Sequence, residues 1–128
     1  MHLACRDVND SELSNIADRL FRAFEQQDTD TVRELCAPEA RFWSSATKRE
    51  STLDELVASL PHVRKAIGDY RYEEVRRLIA PDGFVEQHAV RSTRPDGRPL
   101  DIEVCVVVRV DEDRRIDRLD EYIAGAID

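Results

Sequence analysis

The chain has 128 residues, 41% of them apolar and 36% charged, with a formal net charge of −8. That length suits one domain with a real core, and the composition is that of a globular chain rather than a disordered one. The negative balance, with no Lys/Arg cluster to offset it, argues against nucleic acid and anionic membranes as partners, and no apolar run approaches the ~20 residues of a membrane span.

Residues 1–9 read as a loose N-terminal segment, without the apolar stretch of a secretion signal. Asn9-Asp10-Ser11-Glu12 then has capping-box spacing. Leu13, Ile16, Ala17, Leu20, Phe21 and Phe24 follow at helical intervals, which predicts a helix over 10–27. Asp28 or Thr29 caps a second, short helix carrying Val32, Leu35 and Cys36, which Pro38 stops. Residues 41–45 read as a short strand. Thr52-Leu53-Asp54-Glu55 repeats the capping-box spacing, and Leu53, Leu56, Val57, Leu60, Val63 and Ile67 continue it as a helix. Pro61 predicts a kink or a split there, and Gly68 ends it.

After Gly68 the rhythm becomes that of strands. Residues 70–80, 84–93, 100–110 and 115–123 are rich in β-branched and aromatic side chains. Pro81-Asp82-Gly83, Pro95-Asp96-Gly97 and residues 111–114 separate them. In each Pro-Asp-Gly, Pro fixes φ and Gly accepts a positive φ. Reversals this short predict an antiparallel meander. Helices first and strands after predict an α+β fold, with the N-terminal helices packed on one face of a curved antiparallel sheet. The domain spans 10–125.

Leu100, Ile102, Val104, Val106, Val108 and Val110 form an unbroken apolar row that should face the helices. Pairing Val110 with Arg115 places Val106 opposite Leu119 and Val104 opposite Glu121, which turns Glu121 inward. Counting back through Pro95-Asp96-Gly97 pairs Val104 with about Ala89. Val85, Gln87 and Ala89 then face inward, and Glu86 and His88 outward. A slip of one residue reverses these assignments.

Three cysteines (Cys5, Cys36, Cys105) at wide spacings make neither a disulfide framework nor a zinc pattern, which suits a reduced cytoplasm. Cys36 and Cys105 read as small buried apolar residues. The three histidines, His2, His62 and His88, lack metal spacing, and no glycine-rich phosphate loop is present, so neither a metal nor a cofactor is expected. His88, on the outer face, reads as an interface histidine, and Trp43 and Tyr72 as packing. Glu73-Glu74 and Arg76-Arg77 offer surface ion pairs worth little.

Several segments together resemble the SnoaL-like branch of the nuclear-transport-factor-two-like superfamily. They are residues 17–21 leading to Asp28-Thr29-Asp30, residues 37–43, residues 104–110 and Arg118-Leu119-Asp120-Glu121-Tyr122. Ketosteroid isomerase, limonene epoxide hydrolase and polyketide cyclases belong to that group. The resemblance covers roughly 10–125. It implies a cone-shaped α+β barrel with a deep apolar pocket, and a homodimer packed through the outer sheet face.

The resemblance also allows the known sites to be tried on this chain. The tyrosine, base and oxyanion-aspartate positions of ketosteroid isomerase fall on Leu20, Ser44 and Val106. Leu and Val cannot donate a hydrogen bond, so that mechanism is disfavoured. The arginine and first aspartate of limonene epoxide hydrolase fall on Gln87 and Ala89, its tyrosine and asparagine on Phe42 and Ser44. Only Glu121 keeps a carboxylate, so epoxide hydrolysis is disfavoured too. Polyketide cyclases rely on an acidic pocket residue, a role Glu121 fills. The reading is a pocket for a hydrophobic, carbonyl-bearing metabolite. Glu121 is the acid/base group of an isomerase, cyclase or lyase, with Gln87, Ser44, Phe42, Leu20, Val106, Phe24 and Leu60 around the substrate. The alternative is a non-catalytic dimeric ligand-binding or scaffold module.

Overall fold

The computed structural model describes the backbone of residues 2–125 and the side chains of residues 9–125, so the side chains of His2 and Cys5 fall outside the described residues. Helix α1 (His2–Gln26) leads into α2 (Thr29–Leu35), β1 (Cys36–Ser44), β2 (Arg49–Thr52) and α3 (Leu53–Ile67). Then come β3 (Arg71–Ala80), β4 (Gly83–Thr93), β5 (Pro99–Val110) and β6 (Ile116–Ala124). The six strands form one sheet in the order β2-β1-β6-β5-β4-β3. Every neighbouring pair is antiparallel except β1 with β6. This is the expected α+β architecture, three helices on a mostly antiparallel curved sheet.

In α1 the predicted apolar residues Leu13, Ile16, Ala17, Leu20, Phe21 and Phe24 are all buried. The expected capping box is not used, because Asn9-Asp10-Ser11-Glu12 lies inside the helix. Those polar side chains bind loop ends of the sheet instead. The Asn9 amide donates to the Ala80 carbonyl, and Glu12 pairs with Arg114 at 2.8 Å. The helix ends at Gln27, whose φ of 57° is left-handed, and the Asp28 amide reaches back to the Ala23 carbonyl at 2.8 Å.

Asp28 caps α2 by accepting from the Thr31 amide. The helix stops before Cys36, which opens β1, and Pro38 lies within that longer strand. The register of β1 against β6 shifts between Cys36 and Arg41, so Pro38 stands where the ladder is interrupted and no amide is required of it. The hairpin strand β2 was not expected: its residues, Arg-Glu-Ser-Thr, carry no apolar alternation. Thr52 and Glu55 form the predicted capping box of α3. Pro61 does not split this helix. It sits on an exposed face of one continuous 15-residue element.

Two glycines owe their place to crowding. A Cβ at Gly68, whose φ is +85°, would stand 2.1 Å from the Thr93 carbonyl oxygen. At Gly83 it would stand 1.9 Å from the Val108 carbonyl oxygen. Gly83 therefore serves close approach of β4 to β5, not the positive φ expected of it, whereas Gly97 has φ +90° as predicted.

The apolar row of β5 faces the helices, with Leu100, Val104, Val106, Val108 and Val110 buried. The register on either side of it differs from expectation. Toward β6, Val110 pairs with Ile116 and an irregularity at Asp117 shifts the rest, so Val108 pairs with Leu119 and Val106 with Glu121. The displacement is two residues, which leaves Glu121 on the inner face. Toward β4, the 94–98 loop closes through Arg94 N–H to the Arg98 carbonyl, and pairing resumes at Thr93–Pro99. Val104 thus pairs with His88, not Ala89, and Val106 pairs with Glu86. This one-residue slip turns Glu86 and His88 inward and Gln87 outward.

Candidate functional site

Glu121 lies on the inner face of β6. Its cross-strand neighbour is Val106, and on the other side it runs beside Ser44 at the end of β1. The side chain is half-buried. Burial raises its carboxyl above the ordinary glutamate range, while His88 and the Ser44 hydroxyl pull in the opposite direction. Ser45, just past β1, ties the strand ends together: its amide donates to the Glu121 carbonyl, and its hydroxyl accepts from the Ile123 amide, both at 2.9 Å.

Across β5, on the same face, lies a chain of charged groups that the expected register hid. Glu86 and His88 are 0% and 1% exposed. His88 Nδ1 stands 2.7 Å from one Glu86 carboxylate oxygen, and Arg77 donates to the other at 2.7 Å. The Arg77 guanidinium also donates to the Ser14 hydroxyl at 2.9 Å and to Asp18 at 3.0 Å, so α1 anchors the far end. Arg77 is thus an inward-turned group, not half of a surface pair with Glu73 or Glu74. Those two acids pair with Arg91 instead.

Aromatic rings surround the imidazole. Tyr72 stands 4.5 Å from it, Phe21 5.0 Å, and Tyr70 packs edge-on against Tyr72 at 5.7 Å. Burial pushes the Tyr72 phenol well above its usual value, and the neighbouring Tyr70 and Glu121 add to the rise. Tyr72 therefore stays neutral and keeps a proton to donate. Tyr70 is committed, donating to the Phe24 carbonyl at 2.8 Å and accepting from Gln27. Glu25 accepts from the Tyr72 amide at 2.9 Å, which fixes the start of β3 against α1.

The other sequence-predicted residues divide. Ser44 lies beside Glu121, with its hydroxyl accepting from the Ala46 amide. Phe42, Phe24 and Leu60 belong to the core with little surface open, and Leu20 and Val106 are closed to solvent at 0% and 2% exposure. Gln87 does not join the site. It lies on the outer face in an open groove of about 380 Å³, lined by Arg76, Glu103, Cys105 and Tyr122. His88 is no outer-face interface histidine, being enclosed within the sheet's inner side. Tyr72 packs on that same inner side, while Trp43 stacks on Tyr122 of the outer face at 5.2 Å. Sequence reasoning missed Arg77, Glu86 and Tyr72 as a group. The available signal was Glu86-x-His88, two polar residues one strand period apart and thus on one face.

A carboxylic acid of raised pKa, a carboxylate-held imidazole and a neutral phenol thus share the inner face of the sheet. Such a set can take, hold and return protons. No described helix is long and apolar enough to cross a membrane.

Comparison with known proteins agrees on the scaffold. No curated protein sequence matches the chain. Solved structures do. IdmH of Streptomyces antibioticus, a candidate polyketide cyclase, is 20% identical with a TM-score of 0.76, covering 86% of this chain and 90% of its own. A protein of unknown function from Burkholderia pseudomallei is 18% identical with a TM-score of 0.78, covering 88% and 91%. PrhC of Penicillium brasilianum is 13% identical with a TM-score of 0.77, covering 89% and 81%. The SnoaL-like domain model matches residues 17–119. The chain therefore belongs to the SnoaL-like domain family.

Proposed function

We propose that this SnoaL-like domain binds a hydrophobic, carbonyl-bearing small molecule against the inner face of its sheet and moves a proton on it. Glu121 is the acid/base group, and the reaction is an isomerisation, cyclisation or lyase-type elimination. The observation that carries this reading is the half-buried Glu121 carboxyl, raised by desolvation and set among His88, Ser44 and Tyr72. As a carboxylate it takes a proton from carbon next to the carbonyl, and as the acid it returns one elsewhere on the same skeleton. The neutral Tyr72 phenol beside His88 would donate to oxygen on which charge develops. The relation to IdmH, a candidate polyketide cyclase, favours the same class of ligand.

The test uses polyketide, terpenoid and sterol-like ketones in deuterated buffer, with proton exchange and product formation followed by NMR. Glu121→Gln should keep ligand-induced thermal stabilisation and lose turnover by about 100-fold or more. Stabilisation of the wild type by these ketones with no exchange and no product would overturn the catalytic reading. It would leave the second one, a non-catalytic dimeric ligand-binding or scaffold module. The exposed apolar side chains of the outer face, Leu78 and Tyr122 among them, favour a homodimer under either reading. The free thiols of Cys36 and Cys105 fit a cytoplasmic setting.

A further inference from the structure

Resting on the proton-transfer reading above, a second device is visible one strand pair away from Glu121. An ionised carboxylate accepts hydrogen bonds and donates none. Glu86 is almost fully buried, yet Arg77 donates to one of its oxygens, and a guanidinium keeps its charge. That pairing holds Glu86 ionised, so the 2.7 Å contact with its other oxygen requires the hydrogen on His88 Nδ1. The second ring nitrogen, Nε2, makes no hydrogen bond among the described residues.

We propose that Arg77 and Glu86 are positioning residues that lock neutral His88 in its Nδ1-protonated tautomer, leaving Nε2 as a proton acceptor for the ligand bound beside Glu121. The lock is built to be rigid. Arg77 is held at both ends, by Glu86 of β4 and by Ser14 and Asp18 of α1. The imidazole plane is fixed by Phe21 and Tyr72. The groups facing the ring are Glu86 on its own strand, Arg77 and Tyr72 from β3, Phe21 from α1, apolar Val104 from β5 and Glu121 from β6. Glu86 and Arg77 pair with each other, so the remaining acidic neighbour of the ring is Glu121, whose carboxyl pKa is raised by burial. A fixed Nε2 acceptor on one side of the ligand and a glutamate on the other let a proton leave one atom and arrive at another, with neither group exchanged for water.

The experiment reads the tautomer directly. Long-range ¹H–¹⁵N correlation spectra of uniformly ¹⁵N-labelled protein distinguish a protonated from a bare ring nitrogen, and His88→Gln assigns the signals. Between pH 6 and 9 the neutral His88 ring should show the proton on Nδ1 and none on Nε2. A neutral ring protonated on Nε2, or an imidazolium across the whole range, overturns the proposal. The double variant Arg77→Met/Glu86→Gln removes both charges while keeping volume, and an amide at position 86 can donate to Nδ1. The Nε2-protonated form should then become a substantial fraction, and an unchanged tautomer overturns the lock. Should that variant fail to fold, the wild-type spectrum alone decides. A locked ring in a protein that never exchanges ligand protons supports the lock and sinks the proton-transfer reading, so the two failures are distinguishable.

Discussion

At the scale of single residues, Glu121 and Cys36 show the same force acting on different groups. Desolvation disfavours the charged form, so both are raised, Cys36 to about 12. For Glu121 the consequence is a pH-dependent stability. The folded pKa lies above the unfolded value of about 4.3. The neutral acid is thus favoured by folding, and that contribution is complete below the unfolded value and lost as pH rises through the folded one. Glu121→Gln removes the loss. Its melting temperature should equal that of the wild type near pH 4 and exceed it at pH 7–8, as differential scanning calorimetry would show. A variant less stable than wild type at pH 8 would mean that the carboxylate is held by a favourable partner. For Cys36 the thiol stays protonated and sequestered. Iodoacetamide at pH 8 should leave it unmodified in the native protein and label it only after unfolding in urea, as mass spectrometry would reveal.

At the scale of elements, turns decide the chemistry. Gly83 lets β4 lie against β5, and Gly83→Ala places a methyl on the Val108 carbonyl. We expect a loss of about 3 kcal/mol, at the upper end of over-packing costs, measurable by urea unfolding. Thr52→Ala removes one half of the α3 capping box and should cost about 1 kcal/mol. Pro61→Ala should raise stability instead, since it restores an amide inside α3. The legibility of the site followed from the same turns. Periodicity located the helices, the four long strands and the buried row of β5, because burial of one face imposes a period on the side chains. It could not reveal β2, where no apolar face exists, or the end of α2, where Pro38 acts further downstream than the helix actually stops. Facing depends on the parity of the residue count through a turn. The β5–β6 connection displaced the register by two and kept Glu121 inside. The 94–98 loop displaced it by one, which exchanged Gln87 for Glu86 and His88. A single residue in a loop thus separated a reading with one candidate acid from one with a charged chain beside it.

At the scale of the molecule, the sheet has two faces with different tasks. The inner face packs α1, α2 and α3 over the core and carries every group assigned to proton transfer. The outer face carries Trp43 stacked on Tyr122, with Leu78 75% and Tyr122 49% exposed. In the proposed homodimer that surface would be buried against a second copy. Tyr122→Glu combined with Leu78→Glu should shift the protein from dimer to monomer in analytical ultracentrifugation while leaving Glu121, on the opposite face, unaltered. Sedimentation of the wild type as a monomer at micromolar concentration would contradict the dimer. The separation of faces also explains why the scaffold can be shared with proteins under 25% identical: the core and the outer face make the shape, while a few inward polar side chains make the chemistry.

The most direct test is a ¹³C NMR titration of glutamate-labelled protein, with the Glu121 carboxyl assigned by Glu121→Gln. Desolvation of Glu121 beside His88 predicts that its signal titrates above the exposed glutamates and moves when His88 is replaced by Gln. A Glu121 signal that titrates together with the exposed glutamates, unmoved by that replacement, would contradict it.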